Sequence, residues 1–198
     1  MSVDYLINAH KNERTLIFDL DNTLYDESTF LFNAYSGIAD LYEHNKGEVY
    51  KFLVSEFNSK GRSQLFDKLI TTFPKDNINI KKCLDVLRNY SCECCISIYP
   101  WVDQFIEGVG QGFIFRIITN GNAQQQQNKI RSLNLPIDRA KIEVIFANDI
   151  AMKPKKMSFF ALNNAQQLNS PIYVGDSDVD RKFCQSLDIE FYDVSQLL

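Results

Sequence analysis

The sequence predicts an α/β protein: a Rossmann-like, parallel five-stranded sheet with an α-helical block inserted after its first strand. Three observations carry that expectation. Leu16-Ile17-Phe18 is a short apolar run that ends in Asp19-Leu20-Asp21, two carboxylates one residue apart. From Tyr99 onward, apolar β-favouring runs alternate with helical patterns, the pattern of a parallel sheet covered on both faces. Between these regions, from residue 28 to about 90, every apolar stripe recurs at helical spacing.

Taken in order, the first strand spans Leu16 to Phe18, and side chains alternating along its extended end put Asp19 and Asp21 on one side. Leu31, Ala34, Tyr35, Ile38, Leu41 and Tyr42 then form a helical stripe, stopped by Asn45-Lys46-Gly47. Three more stripes follow, through Val49 to Phe57, Leu65 to Phe73 and Ile80 to Tyr90, which together predict a small helical bundle. Pro100 opens a helix over Val102 to Val109, closed by Gly112, and Phe113 to Ile118 is the second strand. Thr119-Asn120-Gly121 ends that strand and starts a helix over about 122 to 133, with Gln124 to Gln127 as a solvated face. Strands at Glu143 to Ala147, Ile172 to Val174 and Ile189 to Tyr192 complete the sheet, with helices over 157 to 168 and near 178 to 187. The expected division is an α/β core of residues 1–26 and 97–198, and a helical insertion of residues 27–96.

Composition narrows the function classes. At 198 residues with 45% hydrophobic content, 15 Phe and 9 Tyr, the chain can bury one domain core. A net charge of -4 and a pI near 5.2 argue against a nucleic-acid surface. No apolar run nears the roughly 20 residues that span a bilayer, and Met1 to Asn12 lacks a signal peptide's apolar stretch. A cytoplasmic protein with no membrane or nucleic-acid partner is expected. Cys92 and Cys95 form a Cys-x-x-Cys, but no second ligand pair follows, and His10 and His44 are distant. The five cysteines are therefore expected as reduced, incidental thiols. Two histidines leave little room for histidine-based catalysis.

As an isolated pair, Asp19 and Asp21 are best explained as exposed turn residues. An EF-hand fails, because Leu24 and Phe30 stand where Gly and Glu belong. The metal-binding Asp-x-Asp of a glycosyltransferase fits these two residues but requires neither the lysine nor the Gly-Asp that follow. Four predicted strand ends carry complementary chemistry: Asp19 and Asp21, Thr119, Lys153-Pro154, and Asp176 with Asp180. A parallel sheet lines these ends along one edge, where ligands bind in open α/β folds. So many carboxylates call for a cation, and hard oxygen donors without His or Cys suit Mg²⁺. A helix N-terminus after Thr119 offers an anion site. A metal, a lysine and free N–H groups beside a carboxylate describe phosphoryl transfer with Asp as nucleophile.

Those four segments resemble the four motifs of the haloacid dehalogenase superfamily of phosphohydrolases, over nearly the whole chain. Phe18-Asp19-Leu20-Asp21-Asn22-Thr23 resembles the Asp-x-Asp-x-Thr nucleophile loop, and Ile118-Thr119-Asn120-Gly121 the phosphate-binding motif. Lys153-Pro154 resembles the lysine motif, and Gly175-Asp176-Ser177-Asp178-Val179-Asp180 the metal motif. The insertion resembles the family's type I cap. The resemblance implies that Asp19 attacks phosphorus and that Asp21 protonates the leaving oxygen and later activates water. It implies Mg²⁺ ligation by Asp19, the Asp21 carbonyl and Asp176, with Asp180 in support, and phosphate binding by Thr119, the Asn120 N–H and Lys153. An acid at Asp21 separates the chain from true dehalogenases and phosphonatases. The implied activity is hydrolysis of a small phosphorylated metabolite such as a nucleotide or sugar phosphate, a phosphomutase or a silent binding module being the alternatives. Asp19 to Tyr25 is worded like pyrimidine 5′-nucleotidases. Lys46, Lys60, Arg62, Lys81 and Arg88 are the candidate cap contacts to substrate.

Overall fold

A computed structural model describes residues 2–74, 78–110 and 112–198. Its sheet is parallel throughout, in the order β3-β2-β1-β4-β5, from strands β1 (Leu16–Phe18), β2 (Phe115–Thr119), β3 (Ile142–Phe146), β4 (Ile172–Gly175) and β5 (Glu190–Asp193). β1 is central and wholly buried, so its apolar run needs no alternation. Leu16 and Phe18 face one layer and Ile17 the other, beside Tyr173, Ile118 and Phe183.

The helices are α1 (Val3–Lys11), α2 (Glu27–Ala39), α3 (Lys46–Lys60), α4 (Leu65–Thr72), α5 (Ile80–Asn89), α6 (Pro100–Val109), α7 (Ala123–Ser132) and α8 (Asp178–Leu187). The four expected stripes of the insertion are α2 to α5. α2 packs on α3 and α5, and the bundle's centre holds Leu31, Tyr35, Ile38, Leu53, Leu69 and Cys83. Phe32, Tyr35 and Phe57 meet edge-on or tilted, which makes them packing residues of the bundle.

Several expectations change. The polar N-terminus contains α1, whose Val3, Leu6, Ile7 and Ala9 are buried and which packs against α6. α6 ends at Gly110, two residues before the expected Gly112. The helix expected over 157 to 168 is two 3-10 turns, Lys156–Ala161 and Ala165–Gln167. The Glu143 carboxylate takes the Asn163 N–H, and Asn164 adopts a left-handed φ of 57°, so α-helical bonding cannot continue. Cys92 and Cys95, expected as separate thiols, are joined in a disulfide, their Cα atoms 5.7 Å apart across a turn with Cys94 at positive φ. Among the described residues no helix is long and apolar enough to cross a membrane.

Candidate active site

The loop after β1 builds the first part of the site. The Asp19 N–H donates to the Val174 carbonyl at 2.8 Å, so the ladder carries Asp19 to the sheet's carboxyl edge before the chain turns. Asn22 takes a left-handed φ of 54° and its Oδ1 accepts the Glu27 N–H at 3.1 Å, which closes the loop onto α2. Buried Tyr25 donates its hydroxyl to Asp21 Oδ1 at 2.7 Å. The Asn22 and Tyr25 side chains thus shape the loop and aim Asp21.

On one side of the carboxylate pair stands Lys153, buried, its Nζ donating to Asp19 Oδ1 and Asp180 Oδ1, both at 2.6 Å, and to the Tyr173 hydroxyl at 2.7 Å. The Tyr173 hydroxyl in turn donates to the Ile118 carbonyl at 2.8 Å, and all three ammonium donors of Lys153 are engaged. Asn120 holds the Lys153 backbone from both ends, accepting its N–H at 2.9 Å and donating to its carbonyl at 3.3 Å. Asp180 Oδ2 accepts the Ser177 hydroxyl at 2.6 Å in a capping box that starts α8. Gly175 makes this possible: a Cβ there would lie 2.8 Å from Asp180 Oδ2, closer than any side chain tolerates. Carboxylate oxygens of Asp19, Asp176 and Asp180 lie within 4.8 Å of one another, a hard-oxygen set that fits Mg²⁺.

The other side is held by Lys129, which donates to Asp21 Oδ1 at 2.8 Å, to Asp21 Oδ2 at 2.7 Å and to Glu27 Oε1. Gln126, one turn earlier on α7, gives its amide to Asp21 Oδ2 at 3.0 Å, Thr119 Oγ1 at 2.7 Å and the Asn120 carbonyl at 2.8 Å. Gly121, at φ 125°, lets Gln126 come in, since a Cβ would lie 3.0 Å from its Cδ. Glu27, the first residue of α2, also pairs with Arg62 in the turn between α3 and α4.

Charge balance differs between the two sides. Burial pushes the Asp19 carboxyl up to about 7 against the opposing pull of Lys153, with Asp180 and Asp21 adding to the rise. Burial, then Asp180, takes Asp176 to about 6. Burial works in the same sense on Asp21, but Lys129 together with Gln126 and Tyr25 outweighs it and holds that carboxyl below its usual range. Lys153 is raised, burial being overcome by Asp19 and Asp180.

Of the seven residues named from the sequence, Asp19, Asp21, Thr119, Asn120, Lys153 and Asp180 line one cavity of about 230 Å³, together with Glu27, Arg62, Ser177 and Val179. Asp176 stands beside it, exposed, within the carboxylate cluster. Larger cavities of about 690 and 570 Å³ lie elsewhere and hold none of the seven. Sequence reading missed Lys129, Glu27, Tyr173 and Gln126, the last of which belongs to the stretch expected as a solvated face. α7 buries Gln126, Asn128, Lys129 and Ser132 against α5 and the loop after β1. The available signal was spacing: Gln126 and Lys129 are three apart, on one helix face, just beyond Thr119.

The family model for haloacid dehalogenase-like hydrolases matches residues 16–194. Solved structures share the fold at low identity. A magnesium-bound structure of the hydrolase YfnB from Bacillus subtilis is 21% identical at a TM-score of 0.55, over 90% of this chain and 87% of that one. A hydrolase from Streptococcus pneumoniae is 19% identical at 0.54, over 91% of each chain. A dehalogenase is 16% identical at 0.52, over 91% of this chain and 84% of the other. No curated protein matches the sequence at a significant level.

Proposed function

We propose that this chain, which belongs to the haloacid dehalogenase-like hydrolases, is a Mg²⁺-dependent phosphomonoesterase acting through an aspartyl-phosphate. One observation carries the reading: two carboxylates, Asp19 and Asp21, share a single small cavity with Thr119, Asn120 and Lys153, and each is bonded to its own buried lysine, Asp19 to Lys153 and Asp21 to Lys129. Two acids with divergent environments divide nucleophilic and acid–base duties.

In this mechanism an Asp19 oxygen forms a bond to phosphorus as the bond to the leaving oxygen breaks. Thr119 and the N–H groups after β2 hold the phosphoryl oxygens, and Lys153 neutralises the charge that gathers there. The proton for the leaving oxygen starts on Lys129 Nζ, which is bonded to both Asp21 oxygens, and is delivered through the Asp21 carboxyl, leaving Lys129 neutral and Asp21 a carboxylate. In the second half the Asp21 carboxylate takes a proton from water as that water attacks phosphorus and releases Asp19, and the proton returns to Lys129. Asp19, Asp176 and the Asp21 backbone carbonyl would hold Mg²⁺, with Asp180 behind them, its two oxygens engaged by Lys153 and Ser177. The bound ion supplies charge that relieves the carboxylate cluster and screens the phosphate. The helices of residues 27–96 form a cap, and the substrate is a small phosphorylated metabolite such as a nucleotide or sugar phosphate.

The test is phosphate release from an aryl phosphate, with and without Mg²⁺, by wild type and Asp19→Asn. Release that requires both the metal and Asp19 is expected. Release that survives Asp19→Asn in clean protein would remove Asp19 as nucleophile, and none from a broad phosphomonoester panel would end the phosphatase reading.

A further inference from the structure

Arg62 stands out among the cations of the helical insertion. Of the five that the sequence offered as substrate contacts, Lys46 pairs with Asp40, Lys60 pairs with Glu56, and neither they, Lys81 nor Arg88 line the cavity that holds Asp19 and Asp21. Arg62 does. Its side chain is 52% exposed, and one nitrogen, Nη2, donates to Glu27 Oε1. Among the described residues, its Nη1 and Nε donate to nothing, so most of a five-donor fork is free. Its partner is also oversupplied. Glu27 Oε1 accepts Lys129 as well, and Lys129 is 1% exposed and tied to Asp21. If Arg62 leaves, Glu27 keeps a buried cation. Of the two cations on Glu27, therefore, Lys129 is the permanent one and Arg62 the one that can exchange.

Position says what it exchanges for. Arg62 reaches the cavity through Glu27 and Lys129, hence on the Asp21 side, whereas Lys153 stands on the Asp19 side. In the mechanism above, phosphate lies toward Lys153 and the leaving group toward Asp21. We infer that Arg62 recognises a second anionic group on the leaving-group side of the substrate, trading Glu27 for it. The substrate class is then a compact phosphomonoester with a carboxylate or second phosphate a few bonds from the scissile oxygen. This rests on the phosphatase reading and narrows it. A guanidinium fork matches such an anion in two parallel bonds, which a lysine cannot do. The cavity volume of about 230 Å³, below the roughly 300–1,000 Å³ usual for small-molecule pockets, favours a short molecule.

The experiment compares the phosphate monoester of hydroxypropionate with the monophosphate of propanediol, which lacks the charge. With Mg²⁺ present, wild type should favour the acid in kcat/KM by about tenfold to hundredfold, the worth of hydrogen bonds to a charged group. Arg62→Gln should collapse that ratio toward one, chiefly through KM, Arg62→Lys should retain part of it, and Lys60→Gln should leave it unmoved. Calorimetric binding of both esters to Asp19→Asn protein gives the same comparison without turnover. Equal affinity for the two esters, or a preference that survives Arg62→Gln, overturns the role of Arg62 even if both are hydrolysed. A preference that depends on Arg62, with no hydrolysis of any ester by wild type, keeps the recognition and removes the phosphatase.

Discussion

The two sides of the site are built alike and stabilised differently. Each sets one buried lysine against two carboxylates: Lys153 against Asp19 and Asp180, Lys129 against Asp21 and Glu27. On the Lys153 side Asp176 joins as a third carboxylate against the one lysine, and burial leaves Asp19 and Asp176 shifted upward. On the Lys129 side Arg62 supplies a second cation, and Asp21 is held ionised. One half is short of positive charge, which is what the proposed Mg²⁺ would supply. The other is already balanced and acts as a scaffold for Asp21.

The comparison is broken most sharply at Lys129. Lys129→Met leaves Asp21 and Glu27 buried without their shared cation, and losing one partner of a buried pair costs about 3–5 kcal/mol. Denaturant unfolding should show that loss equally with and without Mg²⁺. Lys153→Met should behave otherwise: phosphate release falls by roughly 10²-fold or more, as when one electrostatic stabiliser is removed. Its stability loss should shrink when Mg²⁺ is added, because the ion replaces positive charge beside Asp19. Equal responses of the two variants to Mg²⁺ in thermal unfolding would erase the distinction.

A smaller effect sharpens the scaffold half. Tyr25→Phe removes one hydrogen bond to Asp21 while Lys129 and Gln126 remain, so a cost of about 1–2 kcal/mol is expected in unfolding. The smallest effect lies away from the site, on α1. His10 packs edge-on against Phe113, ring centroids 5.0 Å apart, and burial lowers its pKa below 6.5. A base whose folded pKa is depressed binds fewer protons folded than unfolded. Its penalty is therefore absent well above pH 6.5 and grows as pH falls through 6.5 toward the folded value. Stability profiles of wild type and His10→Phe should diverge only below about pH 7, with wild type losing more.

The legible parts of the fold were those with a local cause. α2 to α5 follow from apolar stripes, and each strand of the sheet from a short β-favouring run. The illegible parts had no local signature or a misleading one. Residues 157 to 168 carry helix-compatible spacing, yet a carboxylate from β3 captures the Asn163 N–H. The cysteines of the 92–95 turn meet because that turn folds back, which residue counting along the chain does not reveal.

The sequence by itself determined the sheet and its edge, because apolar periodicity dictates burial and strand ends carry whatever follows them. With that edge came Asp19, Asp21, Thr119, Asn120, Lys153, Asp176 and Asp180. Only the tertiary structure decided that Gln126 and Lys129 belong to the site. Ala123 to Ser132 is so polar that its natural environment is water, and its burial depends on α5 and the loop after β1 closing over it. The physical reason is that hydrophobic burial is encoded by residue type. Burial of a charge is permitted only by its partners, and Asp21 and Glu27 lie more than one hundred residues away in the chain.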